Sequence, residues 1–400
     1  IKFITVCHGL HNHGGHEYMY TKGICDNLTQ GFTHEVWGRK DVIPEIQEEL
    51  SVKPIFSKVE YNQEMNFFLK AFKLIEREFK WFSEIRKHLK LQSYDVSKED
   101  RVVFFVHTFS VYNVWSWLYL KKYFQKDNYQ LILFFRYSSL LLPNGLKPFF
   151  YWLCSRFSND NSNLLYLTDT EQLKIEYAST SGLDLIVMPV VAKTNFEETA
   201  DVQNTSNETI HLSYLGSARV DKGFQNLPLI VKKVFSMGLS SNIKFTIQAS
   251  IPGVDYLESP CEEALKELKE LSLVDGYNIE LVFEHLSDAD YDELLSKTNV
   301  VLLPYTGITY KVQSSGILVE AMAHGIPCIV PEGTWMESEL MRTGGGVAFD
   351  SNNQSDVAKS VCSLLDDFLT YESLAKKGVN KIKHHHGASA QAAEIYKLIT

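Results

Sequence analysis

The sequence lacks the marks of several protein classes. Its six cysteines show no paired CxxC spacing, and most lie in apolar runs, so we interpret them as reduced core residues rather than a disulfide or zinc framework. No apolar run approaches the roughly 20 residues that a membrane-spanning helix needs. The net charge of −10 argues against nucleic acid as a partner, because nucleic-acid binding favours basic surfaces. An anionic ligand would therefore need a local positive pocket.

The beginning of the chain lacks the pattern of a secretory signal peptide. The stretch IKFITVCHGL has no basic flank and no small-residue cleavage site. We interpret it as a first buried strand. We expect a cytoplasmic location, with peripheral contact at the inner face of a membrane as an open alternative.

The length predicts two domains. With 400 residues the chain exceeds the roughly 250 to 300 residues at which a single core stops growing, and its composition is typical of a globular protein. A polar stretch low in aromatics, KTNFEETADVQNTSNET, indicates a linker at 193–209. We predict an N-terminal domain over 1–192, a C-terminal domain over 210–383, and a C-terminal helix over 384–400 that could cross back to the first domain.

Short apolar runs alternate with longer amphipathic stretches in both halves of the chain. Such runs are typical of parallel strands covered on both faces. They lie at 1–7, 102–106, 130–135, 163–167, 185–188, 210–215, 244–249, 279–283, 300–303, 327–330 and 346–349. Helical patterns lie at 63–91, 112–124, 224–237, 260–272, 288–297, 316–324 and 355–367. We therefore predict an α/β fold of two doubly wound domains, with the carboxyl ends of both sheets at a central cleft where ligands bind.

A glycine pair follows the first strand. In CHGLHNHGGHEYMY, Gly14 and Gly15 precede a predicted helix, where the backbone can approach a ligand and free N–H groups favour an anion. A tight turn without a ligand is the alternative. The third glycine of the GxGxxG dinucleotide fingerprint is absent, which argues against an oxidoreductase. The four histidines of this loop have no carboxylate or cysteine at a spacing that completes a metal site. The histidine triplet at 384–386 could indicate a metal site or the scar of a tag, but it lies within a helical pattern, and we interpret it as a solvated helix face.

Two cations share a short loop after the strand that opens the second domain. In YLGSARVDKGFQNL, Arg219 and Lys222 are three residues apart and the loop ends at Gly223, so both can converge above the strand ends. An Arg fork and a Lys point charge together suit a diphosphate. A surface charge cluster with Asp221 is the alternative.

A late segment, YKVQSSGILVEAMAHGIPCIVP, places a lone carboxylate in an apolar helical pattern. Ser314, Ser315 and Gly316 open the predicted helix, where hydroxyl and N–H groups can hold phosphate oxygens. Glu320 lies one turn further along. We expect it to be buried, poorly satisfied by the protein, and available to sugar hydroxyls. A helix cap with an internally satisfied carboxylate is the alternative.

Three motifs together resemble one enzyme family. The order LGxxRxxKG, a strand ending in LPY at 303–305, and GxxxEAxxxGxPxI is similar to that of the GT-B glycosyltransferases of glycosyltransferase family 4, over nearly the whole chain. The last motif is the specific one, and the glycine pair is weak on its own. The resemblance implies a donor site made of Gly14, Gly15, Arg219, Lys222, Tyr305, Ser314, Ser315, Gly316 and Glu320.

The resemblance also implies a mechanism. Arg219 and Lys222 would neutralise the departing diphosphate in place of a metal ion, the helix start would support it, and Glu320 would bind the ribose. Family members retain the anomeric configuration, and the leaving phosphate can take the acceptor's proton. We expect a hexosyltransferase-type reaction without cofactor or metal, from a UDP- or GDP-linked sugar to a glycan or lipid-linked acceptor, as in polysaccharide biosynthesis. The one DxD, at 288–290, opens a helix and looks like a cap.

Two positions depart from the family pattern. The first glutamate of a pair that members often carry would fall at Val312, so sugar contacts inferred from it do not carry over. The histidine that many members place near the reacting sugar is replaced by Arg136 in LILFFRYSSL. Either Arg136 takes over an electrostatic role, or His107, at the end of the preceding strand, supplies the imidazole. A structural role for each stays open.

The acceptor and the activity leave alternatives. Segments 67–90 and 146–157 are rich in aromatic and basic residues, which could lie on a membrane surface or instead bury the aromatics in a core. A catalytically inactive GT-B protein that binds nucleotide sugar or a partner is a second hypothesis, against which the retained Arg219, Lys222 and Glu320 argue. A sugar-nucleotide epimerase is a third, which the missing first glutamate weakens.

Overall fold

The computed structural model divides into two compact units. One comprises Ile1–Val191 with Ala388–Thr400, and the other comprises Ala192–Gly387. The structure describes residues 1–13, 16–58, 67–91, 101–109, 116–117, 129–138, 148–149, 152, 163–191, 209–239, 243–250, 257–284, 286–306, 310–351 and 353–400. Gly14, Gly15, nearly all of the predicted linker, and most of 112–124 and 146–157 lie outside the described residues.

Strands and helices alternate in both units. The first contains β1 (Lys2–Val6), α1 (His16–Asn27), β2 (Thr33–Arg39), α2 (Pro44–Glu49), β3 (Val52–Phe56), α3 (Phe67–Leu91), β4 (Val102–Phe109), β5 (Tyr129–Phe135), β6 (Leu164–Thr168), α4 (Glu171–Ser181) and β7 (Ile186–Val187). The second contains β8 (Ile210–Tyr214), α5 (Leu227–Val234), β9 (Ile243–Gln248), α6 (Ser259–Leu271), β10 (Ile279–Val282), α7 (Asp288–Ser296), β11 (Val300–Leu302), α8 (Gly316–Ala323), β12 (Cys328–Pro331), α9 (Trp335–Leu340), β13 (Gly346–Phe349), α10 (Gln354–Asp366) and α11 (Phe368–His386). The last helix, α12 (Ala388–Ile399), belongs to the first unit.

Each unit contains a parallel sheet. The strand orders are β3-β2-β1-β4-β5-β6-β7 and β10-β9-β8-β11-β12-β13, with every pairing parallel. The order reverses between β1 and β4 in the first sheet and between β8 and β11 in the second. Doubly wound sheets bind ligands outside the carboxyl ends of the strands at such a switch point. The predicted α/β fold of two doubly wound domains is confirmed.

Helix α12 completes the core of the first unit. Its Ala392, Ile395 and Ile399 are buried in one cluster with side chains of β1, β4 and β5. The helix also packs closely on α1, because a Cβ at Gly23 would lie 2.8 Å from the Cβ of Ala388. The chain therefore returns to the first unit to fill its core.

The sequence pattern does not reveal β2 and β3. Glu35 is buried within β2, where Lys2 and Lys53 lie 3.4 and 2.8 Å from its carboxylate. The indole of Trp37 also donates to it at 2.7 Å. Strand β3 contains Pro54, which is tolerated because β3 lies at the edge of the sheet. A buried ion-pair cluster and an edge proline thus interrupt the apolar pattern of both strands.

Candidate functional site

The loop after β8 packs directly against the segment that follows β11. Gly223 has a φ of 72°, and a Cβ there would lie 1.7 Å from the carbonyl oxygen of Pro304. The backbone N–H of Thr306 donates to the carbonyl of Asp221 at 3.0 Å. Only glycine combines this left-handed conformation with so close an approach. Gly223 therefore fixes the cation-bearing loop at the switch point of the second sheet.

The ammonium group of Lys222 lies within this packed region. Its Nζ is 5.8 Å from the centre of the Tyr305 ring and 2.7 Å from the place that a Cβ at Gly216 would take. Burial lowers the pKa of Lys222 to about 8, the charge of Arg219 adds to the shift, and Asp221 and Glu320 oppose it. An ammonium group whose charged form is disfavoured by desolvation gains from an anionic ligand.

Arg219 extends toward solvent from the same loop. Its side chain is partly exposed, and its guanidinium forms an ion pair with Asp221. The charge cluster that the sequence left open as an alternative is therefore present. The guanidinium carries five N–H donors, so the pair with Asp221 leaves it able to bind a phosphate oxygen as well.

Ser315 is the N-cap of α8. Its side chain is buried, and Oγ accepts a hydrogen bond from the N–H of Leu318 at 3.3 Å. Ser314 before it is half-buried, and Gly316 after it is buried. The Ser315 hydroxyl thus has a structural role, and the N–H groups of the first turn are the groups suited to a phosphate.

Glu320 on α8 is half-buried and already has a protein partner. The phenol of Tyr291 on α7 donates to its Oε2 at 2.9 Å. The expectation of a buried, poorly satisfied carboxylate is therefore wrong. Because a carboxylate offers about four acceptor positions, Glu320 can still accept hydroxyls of a ligand beside Tyr291. Sequence reasoning missed Tyr291, since no motif links α7 to α8.

Tyr305 completes the set in the second unit. It is buried, and its ring centre lies 4.4 Å from that of Tyr310. Burial raises the pKa of Tyr305 well above its usual value, so the phenol stays neutral. The second unit therefore gathers two cations, a helix start and a carboxylate at the carboxyl edge of its sheet.

In the first unit, Arg136 follows β5 and is buried. Its Nε donates to Oδ2 of Asp169 at 3.2 Å, and its guanidinium carbon lies 4.5 Å from the centre of the Tyr20 ring. The carboxylate and the ring face both stabilise the cation. Among the described residues, none accepts a hydrogen bond from its two Nη groups. Arg136 thus retains donors for a ligand at the carboxyl edge of the first sheet.

His107 lies inside the core at the end of β4. Its Nε2 is 2.9 Å from Oγ1 of Thr21, and the rings of Tyr20 and Phe105 stack on it with centres 5.9 Å away. Burial and the charge of Arg136 lower the pKa of His107 to about 3, so the ring is neutral near pH 7. Of Arg136 and His107, Arg136 is the one that retains donors for a ligand.

His8 is a further polar residue at this edge, and sequence reasoning assigned it no role. Its ring centre lies 4.2 Å from that of Trp81 and 4.4 Å from that of Phe56. Burial lowers the pKa of His8 to about 3. The signal that could have revealed it is its position after β1, the strand beside the switch point.

The two doubly wound parallel sheets, together with the likeness to solved structures given below, define a GT-B type of fold. No protein-family model and no curated protein sequence matches the chain. Among solved structures, sucrose-phosphate synthase from Thermosynechococcus elongatus matches with a TM-score of 0.70 and 14% identity, over 99% of this chain and 98% of that chain.

Two other solved structures show how widely this fold is used. The alpha,alpha-trehalose-phosphate synthase (UDP-forming) from Burkholderia vietnamiensis matches with a TM-score of 0.69 and 10% identity, over 100% of this chain and 99% of that chain. A putative UDP-N-acetylglucosamine 2-epimerase from Listeria monocytogenes gives a TM-score of 0.58 and 16% identity, over 100% and 95%. At these identities the likeness shows the fold, and the reaction has to be inferred from the site.

Proposed function

We propose that this chain is a glycosyltransferase that moves a sugar from a UDP- or GDP-linked donor to a glycan or lipid-linked acceptor. The observation that carries the proposal is the packing of the Lys222 loop against the end of β11 and against α8, the helix that carries Glu320. A Cβ at Gly216 would lie 2.7 Å from Nζ of Lys222 and 3.1 Å from Cδ1 of Ile317 on α8. Two cations suit a diphosphate, and an adjacent carboxylate suits ribose hydroxyls. The likeness to a trehalose-phosphate synthase that forms UDP supports a sugar nucleotide as the donor.

The proposed reaction retains the anomeric configuration and uses no metal. Lys222 and Arg219 stabilise the negative charge that develops on the departing diphosphate, as preorganised cations do in other active sites. Glu320, oriented by Tyr291, accepts hydrogen bonds from the ribose. The acceptor's proton passes to the leaving phosphate, and Arg136 stabilises charge on the sugar or the acceptor.

Product analysis tests this proposal. The purified chain is incubated with UDP- and GDP-sugars, with oligosaccharides or membranes as acceptors, and the products are identified by mass spectrometry and the anomeric configuration by NMR. We expect nucleoside diphosphate to appear in step with a glycosylated product. A sugar nucleotide altered without any acceptor would indicate an epimerase. Tight donor binding with no turnover across the panel would indicate an inactive binding protein.

Metal independence has a separate test. The DxD at 288–290 lies in the first turn of α7, where Ser287 rather than an aspartate is the N-cap. We expect transfer to continue in excess EDTA. Circular dichroism in the same solution distinguishes loss of the fold from loss of a catalytic ion. Activity abolished by EDTA in a folded protein and restored by Mg²⁺ or Mn²⁺ would contradict the proposal.

One face of α3 favours a membrane-bound acceptor. Phe72, Ile75 and Phe79 lie three and four residues apart and are 63, 41 and 59% exposed, whereas Trp81 and Ile85 are buried in the core. The helix carries seven Lys or Arg against three Glu, in a chain of net charge −10. Exposed aromatics beside excess basic charge suit an anionic lipid surface. The contact we propose is peripheral. Among the described helices, none is long and apolar enough to cross a membrane.

Vesicle sedimentation tests the membrane contact. We expect the chain to sediment with phosphatidylglycerol vesicles and much less with phosphatidylcholine vesicles. Phe72→Ser with Phe79→Ser should abolish the binding. Leu273→Ser, which removes an apolar side chain that is 86% exposed in the second unit, is the matched control. Equal binding of the control and the double variant would exclude α3 as the contact.

A further inference from the structure

The end of α11 carries a cluster that the proposed reaction does not use. The interpretation of the triplet 384–386 as a solvated face holds for His384, which is exposed, but is wrong for His386, which is 1% exposed. The Nε2 of His386 lies 3.1 Å from Oε2 of Glu339 on α9, whose side chain is also buried. The half-buried His385 joins them, and one ligand atom from each of the three lies within 4.8 Å of the others.

Two adjacent histidines of one helix, His385 and His386, lie beside the same carboxylate, which helix geometry alone does not produce. Successive residues of an α-helix point about 100° apart, so neighbours do not turn to one partner by default. Here the ring centres of His385 and His386 are 4.6 Å apart and both rings lie beside the same carboxylate. Imidazole nitrogens and carboxylate oxygens together are ligands that Zn²⁺ accepts, whereas Mg²⁺ and Ca²⁺ prefer oxygen alone.

The second oxygen of Glu339 has its own partner. The Nε of Arg342 lies 3.1 Å from Oε1 of Glu339, and the other carboxylate oxygen, Oε2, faces His386. Carboxylates that bind metals are commonly held by such an outer hydrogen bond, which fixes their orientation. Ligands at roughly 2.0 to 2.1 Å from a tetrahedral zinc ion lie about 3.3 Å apart. The 3.1 Å separation of His386 and Glu339 already matches this spacing, and His385 has to move closer.

Close packing holds the two helices that carry the cluster. A Cβ at Gly378 of α11 would lie 2.4 Å from Cγ2 of Thr343, just after α9, and a Cβ at Gly345 would lie 2.7 Å from Cα of Ala375. The cluster also occupies the last turn before Gly387, after which the chain returns to the first unit. A metal there would fix the end of α11 at the point where the chain leaves the second unit.

We propose that Glu339, His385 and His386 form a Zn²⁺ site with three protein ligands and water as the fourth. The ion joins α9 to the end of α11 and takes no part in sugar transfer. Because the ligands must lose or lack protons, zinc binding is expected to weaken as the pH falls.

Metal titration of the full chain tests the site. The protein is stripped with a chelator, dialysed and titrated with Zn²⁺, and binding is followed by calorimetry, elemental analysis and the melting temperature. We expect one Zn²⁺ per chain and a higher melting temperature. His385→Ala and Glu339→Gln should each weaken binding by more than the roughly 10- to 100-fold that loss of an outer-shell partner costs.

His384→Ala is the matched control, since it removes a histidine of the same triplet that faces solvent. It should leave the zinc affinity unchanged. The proposal would be overturned if His384→Ala lost as much zinc affinity as His385→Ala. It would also be overturned if His385→Ala bound zinc as tightly as the wild type, or if the wild-type chain bound no zinc. Co²⁺ added to the wild-type chain gives a readout that needs no variant, since a tetrahedral site produces much stronger visible bands than the hydrated ion. Absence of those bands would also overturn it.

Discussion

If Lys222 binds the proposed donor, its charge should set an upper pH limit on that binding. Its pKa in the free protein is about 8, below the usual 10.5, because burial and Arg219 disfavour the cation. The ammonium is therefore present below pH 8 and lost as the pH rises through that value. We expect kcat/KM for the donor to fall above about pH 8, since this parameter reports groups of the free enzyme. Lys222→Arg should keep its charge and remove the fall.

The same shift affects stability with a predictable sign. Between pH 8 and 10.5 the unfolded chain binds more protons at Lys222 than the folded chain does. The contribution of this residue to the free energy of unfolding therefore rises with pH over that window.

The kinetic prediction for Lys222 has its own contradicting outcome. A pH profile of kcat/KM that is flat to pH 10 in the wild type, or that falls equally in Lys222→Arg, would show that this ammonium does not meet the donor.

Removing either cation should impair the chemical step. Lys222→Ala and Arg219→Ala are each expected to lower turnover by roughly 100-fold or more, because charge on the leaving diphosphate loses a preorganised partner. Lys232→Ala, which removes an exposed lysine paired with Glu267 on the surface, is the matched control and should leave turnover unchanged. Steady-state kinetics beside circular dichroism checks both points. Near-normal turnover in both site variants would exclude the assignment.

The carboxylate of Glu320 should matter more to binding than to folding. A hydrogen bond to a charged group contributes about 1.5 to 3 kcal/mol, so Glu320→Gln should weaken nucleoside-diphosphate binding by roughly 10- to 150-fold. The amide oxygen of glutamine can still accept from Tyr291, so the free energy of unfolding should change little. Tyr291→Phe should weaken binding less, because it removes only the group that orients the carboxylate.

Calorimetric titration and melting curves separate these roles of Glu320. A variant that melts early but binds nucleoside diphosphate normally once folded would place Glu320 in the core rather than in the site. The same outcome in Tyr291→Phe would mean that the contact between α7 and α8 is structural only.

At the scale of elements, the loop that carries Lys222 depends on Gly223. Alanine at Gly223 adds the cost of a left-handed backbone, about 1 to 2 kcal/mol, to a clash with the carbonyl of Pro304. Gly333 has a similar φ of 69°, but a Cβ there meets nothing within 4 Å. Gly333→Ala should therefore lower the free energy of unfolding only by the cost of the left-handed backbone. Gly223→Ala should lower it by roughly 1 to 3 kcal/mol more, because of the clash.

Urea unfolding of the two alanine variants measures this difference. Because the clash can be relieved only by moving the loop away from β11, Gly223→Ala should also lower the affinity for nucleoside diphosphate. Equal stability of the two variants, with normal affinity in both, would mean that the loop is not fixed by this contact.

The sequence predicts some elements of this fold well and others not at all. Strands β8 to β13 are recognisable because each is a short apolar run between helical patterns. Strands β2 and β3 are hidden because Glu35 is compensated by lysines on neighbouring strands, which a linear pattern does not show. For the same reason, the motifs make Lys222 and Glu320 candidate site residues but do not point to Tyr291, whose hydrogen bond to Glu320 depends on how α7 packs beside α8.

At the scale of the whole molecule, each unit has a core of its own. The cluster of the second unit contains residues of strands β8, β9, β11, β12 and β13 and of helices α5, α6 and α10. That of the first unit includes α12 at the far end of the chain. Each unit also carries polar groups at the carboxyl edge of its own sheet, Arg219 and Lys222 in the second and Arg136 in the first. The stability of the first unit therefore depends on residues that follow the entire second unit in the sequence.

This dependence predicts a selective effect of changes in α12. Ile395 is fully buried against the first sheet, so Ile395→Ala should cost about 2 to 5 kcal/mol, through lost apolar contact and the cavity left behind. Glu394→Ala, at the exposed neighbouring position, should leave the free energy of unfolding almost unchanged.

Hydrogen exchange followed by mass spectrometry shows which unit is destabilised by Ile395→Ala. We expect faster exchange in β1, β4 and β5 of Ile395→Ala, with β8, β9 and β11 unchanged, because the core of the second unit contains no residue of α12 among its described members. Equal acceleration in both units would mean that they unfold as one, and no acceleration in the first would mean that α12 does not support its core.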